Sequence, residues 1–142
     1  MRRLNEPIES GQIRELVDRI EASARSYGFS EVRIEDIRTA VIEACQNAME
    51  YGDARTRPPE IEASFEEGVL VVSATSAGHP FRIADMTPDI EGKMQGRESA
   101  RGWGLFLMRR LADDVALERT GEINTVRMKF RLHEEKGEPK RD

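Results

Sequence analysis

The chain has 142 residues, enough for one compact domain with a single core, and carries a formal net charge of −5 with 35% charged and 6% aromatic residues. That balance, without a stripe of Lys and Arg interleaved with aromatics, argues against a partner gripped through nucleic-acid phosphates, and no apolar run nears the ~20 residues that would cross a bilayer. Cys45 is the sole cysteine, so no internal disulfide can form, and His79 and His133 stand in no metal-binding spacing.

In chain order, residues 1–8 read as a short strand or an irregular arm, and the basic start leads into no signal-like apolar core, as expected of a cytoplasmic protein. Ser10 is a candidate cap for a helix reaching Tyr27, with Ile13, Leu16, Val17, Ile20 and Ala24 on one face and Gly28 at its stop. Ser30 offers a second cap to a helix from Glu31 to Tyr51 that ends at Gly52. Its apolar residues Ile34, Ile37, Val41, Ala44 and Ala48 keep helical spacing. Cys45 has helical neighbours on that side and is expected in the core. Glu43 and Asn47 lie one turn apart on the polar shoulder of the stripe. A carboxylate above a carboxamide can hold a metal ion and take a proton, although taken alone such a pair is an ordinary helix edge.

Arg57-Pro58-Pro59 breaks the helical pattern. Ile61, Ala63 and Phe65 then alternate with Glu60, Glu62 and Ser64 as in a half-buried strand, and Glu67-Gly68 turns the chain into a second strand, Val69–Thr75. Val115 and Leu117 begin another strand, Gly121 to Asn124 make a turn, and Val126, Met128, Phe130 and Leu132 alternate with Arg127, Lys129 and Arg131. A helix is expected from Gly104 to Asp113 between the two hairpins. The charged tail 134–142 is expected to fray. Two helices, a hairpin, a loop, a helix and a hairpin predict one α+β domain over residues 1–142, a two-layer α/β sandwich whose mixed, mostly antiparallel sheet carries its helices on one face.

The long irregular stretch from Ser76 to Trp103 opens with Gly78-His79-Pro80-Phe81 and closes with Arg101-Gly102-Trp103-Gly104 at a helix start. Loops of this length in small domains are functional or disordered. Glycines ahead of a helix let backbone N–H groups approach an anion at the positive end of the helix dipole.

Together these pieces resemble the anti-sigma factors and serine-protein kinases of bacterial partner-switching systems (RsbW-type), within the Bergerat-fold or GHKL ATPase superfamily of histidine-kinase-like ATPases. Glu43-Ala44-Cys45-x-Asn47-Ala48 followed by Glu50-Tyr51-Gly52 resembles the family's asparagine box. Gly78-x-Pro80-Phe81 resembles its first glycine box, and Arg101-Gly102-x-Gly104-Leu105 running on to Asp113 and Val115 its second. The resemblance spans residues 10–132. It implies ATP and magnesium as cofactors, Asn47 on the magnesium ion, and Glu43 as the base acting on a serine hydroxyl of a partner. It also implies a nucleotide site drawn from Asn47, Ser76, Gly78, Pro80, Arg101, Gly102, Trp103, Gly104 and Leu105, with 82–100 as a lid. The implied partners are an anti-sigma-factor antagonist with a phosphorylatable serine and a sigma factor or other regulator, and the implied assembly is a homodimer.

One position departs from the family. Ser76 stands where the family has the aspartate that accepts a hydrogen bond from the adenine amino group, and a neutral acceptor makes that bond about half as strong. The alternative is therefore a Bergerat-fold protein-binding module with weak or no ATP binding. The ATP-binding half of a two-component histidine kinase fits less well, because the chain has no dimerisation and phospho-acceptor helix pair.

Overall fold

The computed structural model describes residues 3–79 and 102–132. The N-terminal segment is a strand, β1 (Arg3–Pro7), followed by a 3-10 turn over Ser10–Gln12 and helix α1 (Ile13–Tyr27). Ser10 therefore does not cap α1. It lies inside the 3-10 turn, no side chain caps that turn, and the α-helix proper begins three residues later. The stop is as the glycine predicts: Gly28 sits at φ 108° and its N–H reaches back to Ala24 and Arg25.

Helix α2 (Glu31–Tyr51) starts at Ser30, whose hydroxyl accepts from the Arg33 N–H at 3.2 Å. Ile34, Ile37, Val41, Ala44 and Ala48 are all buried, and so is Cys45, whose thiol burial pushes up to about 12. That thiol stays protonated at neutral pH and packs as a small apolar side chain. Strands β2 (Glu60–Glu66) and β3 (Val69–Ala77) form a hairpin, with Glu67 at φ 53° and Gly68 at φ 78° making the two-residue turn. After residue 101 come α3 (Gly102–Leu111), β4 (Asp114–Thr120) and β5 (Ile123–Arg131). The third helix thus begins at Gly102, two residues before the expected Gly104. Asn124, expected in the turn, lies within β5.

The strand order is β1-β2-β3-β5-β4, and every pairing among the described residues is antiparallel, the limiting case of the mostly antiparallel sheet expected. Ile61 and Ala63, Leu70, Val72 and Ala74, and Val126, Met128 and Phe130 point to one face and join α1 and α2 in a single core. Glu62, Ser64 and Arg127 belong to the opposite face. Because β5 pairs with β3 while β4 takes the outer edge, the exit of β3 is brought beside the β4–β5 turn. Ser76 pairs with Asn124 and Ala77 with Ile123.

A buried arginine fastens α3 to this frame. The Arg33 guanidinium is 1% exposed, and its Nη1 donates to the Leu111 carbonyl at 2.7 Å and to Asp36 at 2.9 Å. Its Nη2 donates to Asp113 at 2.7 Å, and the group lies 5.4 Å from the centre of the Phe130 ring. Asp113 in turn accepts the Arg131 backbone N–H at 2.7 Å. The C-terminal end of α3 is thus held to α2 and β5 at once.

Candidate functional site

The last turns of α2 meet both glycine-bearing segments, each so closely that a side chain in place of the glycine would crowd its neighbour. A Cβ on Gly104, in the first turn of α3, would stand 2.9 Å from Asn47 Oδ1 and 3.2 Å from its Nδ2. A Cβ on Gly52 would stand 2.5 Å from the Ala48 carbonyl oxygen and 2.8 Å from Ser76 Cβ. Gly78 has φ 150°, and a Cβ there would meet the Tyr51 carbonyl oxygen at 3.1 Å. The three sequence boxes are therefore in contact through α2, although they lie up to 57 residues apart in the chain (Asn47 to Gly104).

Asn47 is buried, at 4% exposure, with its carboxamide against the start of a ten-residue helix. The first-turn N–H groups of a helix lack intrahelical acceptors and carry the positive end of its dipole. A carboxamide oxygen beside such a helix start is suited to a cation shared with an anionic ligand. Glu43, one turn earlier, is half-buried, and desolvation raises its carboxyl above the ordinary carboxylate range. A carboxylate with raised proton affinity is a better base than a fully solvated one.

Ser76 ends up 1% exposed at the tip of β3, pressed by Gly52. The turn after α2 is tied to the same place by a 2.6 Å bond from the Asp53 N–H to the Ala77 carbonyl. An open cleft of about 500 Å³ runs beside it, with Tyr51, Asp53 and Thr56 on one side and Gly78, His79 and Arg119 on the other. Leu105 turns its side chain into the core, so only its backbone is left for a ligand. Gly102 opens α3. Pro80, Arg101 and the expected lid lie outside the described residues, as does the side chain of Trp103.

Two residues at this site were not singled out from the sequence. Asn124, 1% exposed, donates through Nδ2 to the His79 carbonyl at 2.8 Å and accepts from Arg119 Nη1 at 2.9 Å. Arg119 Nη1 also donates to the Gly78 carbonyl at 2.8 Å. A turn signal at Gly121 had placed Asn124 among turn residues. Only the strand register, which sets it opposite Ser76, reveals it.

A mostly antiparallel sheet under an α-helical layer, with an Asn-bearing helix facing a glycine-started one, defines a histidine-kinase-like ATPase domain. The chain matches the family described as the histidine kinase-like ATPase domain over residues 7–130, and it belongs to that family. It is 29% identical over 115 residues to the serine-protein kinase RsbW of Bacillus subtilis (strain 168), covering 77% of this chain and 71% of that protein. The solved SiaB-SiaC complex from Pseudomonas aeruginosa contains a chain that superposes with a TM-score of 0.62 at 17% identity, over 90% of this chain and 88% of that one. The RsbU and RsbW domains of a Mycobacterium tuberculosis protein superpose at 0.66 and 18% identity, over 93% of this chain and 33% of that one. At those identities the superpositions establish the shared fold. The resemblance to RsbW-type kinases drawn from the three boxes thus meets relatives of that name.

Proposed function

We propose that this chain is an ATP-dependent protein serine/threonine kinase and anti-sigma-type regulator, acting in the cytoplasm as a homodimer on a partner-switching antagonist protein. The observation that supports the reading most is the contact between the Asn47 carboxamide and Gly104 at the first turn of α3. A carboxamide oxygen beside a helix start is a pair suited to a cation and an anion held together. Among the described residues no three His, Cys, Asp or Glu side chains converge. Magnesium needs no such cluster, because it keeps waters and phosphate oxygens and takes only one or two protein ligands. The donor set therefore fits Mg-ATP. Magnesium, when bound, would neutralise charge on the phosphates.

On this reading Asn47 Oδ1 would hold the cation, the first-turn N–H groups of α3 would hold phosphate oxygens, and Glu43 would orient the serine hydroxyl and accept its proton. Gly102 and Gly104 leave room for the phosphates. Pro80, Arg101 and Trp103 enter through the motif resemblance alone. Ser76 favours a second reading, a protein-binding module with weak ATP affinity, because it replaces the charged adenine acceptor and is buried against Gly52.

The test combines binding and transfer. ATP is titrated with and without magnesium into wild type and Asn47→Ala, and the protein partner recovered on immobilised chain is incubated with labelled ATP. Magnesium-dependent affinity should be lost in Asn47→Ala. Glu43→Gln should still bind but label the partner about 10²–10⁴-fold more slowly. Wild-type transfer should fall on acidification at a pH above the usual carboxylate range, since burial raises Glu43. Wild type that leaves its partner unlabelled would support the second reading.

A further inference from the structure

We propose that Arg119 and Asn124, which lie outside all three boxes, are positioning residues that hold the Gly78–His79 backbone ready for the ligand; this rests on the nucleotide-site reading above. The stretch leaving β3 is tied down by three hydrogen bonds from one hairpin, and a fourth inside the hairpin braces them. Arg119 Nη1 donates to the Gly78 carbonyl at 2.8 Å and to Asn124 Oδ1 at 2.9 Å. Asn124 Nδ2 donates to the His79 carbonyl at 2.8 Å, and the Gly78 N–H donates to the Glu122 carbonyl at 2.9 Å. The orientation of the Asn124 amide follows from its partners: only an oxygen facing the guanidinium and a nitrogen facing the carbonyl satisfies both.

The need for such a clamp lies in Gly78. Its φ of 150° and the 3.1 Å approach of its missing Cβ to the Tyr51 carbonyl demand glycine, the residue with the greatest backbone freedom to lose. A ligand that had to order this stretch would bind more weakly by that cost. With two consecutive carbonyls tied to the hairpin, the peptide planes are set in advance. In the trans Gly78–His79 peptide the His79 N–H is directed opposite to the carbonyl that Arg119 holds. Gly78 gives its own N–H to Glu122, and Pro80 has none. The His79 N–H is thus the backbone donor that Gly78–Pro80 can turn toward a ligand, and Arg119 with Asn124 sets its direction.

Arg119 is exposed, so its truncation tests the clamp without endangering the core. Affinities for Mg-ATP and for ADP are measured by calorimetry in wild type, Arg119→Ala, Arg119→Lys, Asn124→Ala and the double alanine variant. Amide exchange at Gly78 and His79 is followed in the same proteins without ligand. Arg119→Ala should bind about five- to tenfold more weakly while melting within about 2 °C of wild type. Exchange at Gly78 should quicken. Arg119→Lys, which keeps a charged donor, should recover most of the affinity, and the double variant should be no worse than the weaker single one because both break the same clamp. Wild-type affinity in Arg119→Ala, or losses that add in the double variant, would overturn the inference and leave the nucleotide site standing. Wild type that binds neither nucleotide would remove the nucleotide site and the inference with it, and faster exchange in Arg119→Ala would then report only a structural tie.

Discussion

Replacing Arg33 by methionine should be among the most damaging single changes outside the apolar core. The guanidinium is 1% exposed and its main partner Asp113 is 8% exposed, so Arg33→Met leaves a buried carboxylate without its counter-charge and the Leu111 carbonyl without its donor. Breaking a buried ion pair from one side costs about 3–5 kcal/mol, against a total domain stability of about 5–15 kcal/mol. For a domain of this size that corresponds to a fall of roughly 10–20 °C in melting temperature. Asp113→Ala should cost about as much, because the same carboxylate oxygen also accepts the Arg131 N–H. Asp36→Ala should cost about 1 kcal/mol or less, since that partner is 21% exposed and water can replace it. The double change Arg33→Met with Asp113→Leu should be milder than Asp113→Ala alone, because no buried charge is left uncompensated. Urea unfolding followed by circular dichroism measures all four. An Arg33→Met variant within about 1 kcal/mol of wild type, or an Asp36→Ala variant as unstable as Asp113→Ala, would refute the account of Arg33 as the fastener of α3.

Gly104→Ala should weaken Mg-ATP binding more than about tenfold while changing stability by no more than about 1–2 kcal/mol, because what the new methyl group meets first is the Asn47 side chain, which it displaces. Calorimetry beside thermal melting checks it, and unchanged affinity would mean that the Asn47 carboxamide is not where the phosphates bind. Ser76→Asp should tighten ATP roughly tenfold with GTP unaffected, since it supplies a charged acceptor. It should also lower stability by about 1–3 kcal/mol, because Ser76 is buried and pressed by Gly52. An unchanged ATP affinity would place the adenine elsewhere. Glu43 tests linkage: its folded carboxyl titrates above the unfolded value, so its contribution to stability is complete below the unfolded value and is lost as pH rises through the folded one. Glu43→Gln should therefore match or exceed wild type in urea resistance near pH 7.5, with the difference closing near pH 4. A variant less stable than wild type near neutrality would contradict a carboxylate raised by burial.

The elements governed by local rules were legible in the sequence. The α2 stripe, the Ser30 cap, the Gly28 stop and the Glu67-Gly68 turn all follow from spacing and from residues with restricted or unusual backbone freedom. Ser10 misled because a capping residue is a local cue, and the chain instead takes one 3-10 turn before α1 begins. What could not be read was set by partners distant in sequence. Arg33 sits beside an apolar stripe like any solvent-facing arginine, and its burial depends on Asp113, 80 residues on. Asn124 lies three residues after Gly121 and is itself a turn-forming residue type, so it reads as turn; its position opposite Ser76 depends on β5 pairing with β3 across an intervening helix and strand.

The glycines also bear on the choice between a kinase and a module that has lost its nucleotide. Gly52 and Gly78 each meet a backbone carbonyl of α2, at Ala48 and Tyr51, so the packing of β3 on that helix requires them whatever the protein does. Gly104 differs, because what a Cβ there would meet first is the side chain of Asn47. A chain with no ligand to hold could relieve that contact with a smaller residue at position 47 and a better helix former at 104, gaining up to about 1 kcal/mol of helix propensity. Glu43 points the same way, because a carboxylate whose burial raises its proton affinity works against the folded state at neutral pH. Asn47, Gly104 and Glu43 are thus three positions at this site where the sequence departs from what its own fold would favour. Such departures concentrate at sites kept for a ligand or a reaction, and together they weigh more toward the kinase reading than Ser76, a single weakened hydrogen bond, weighs against it.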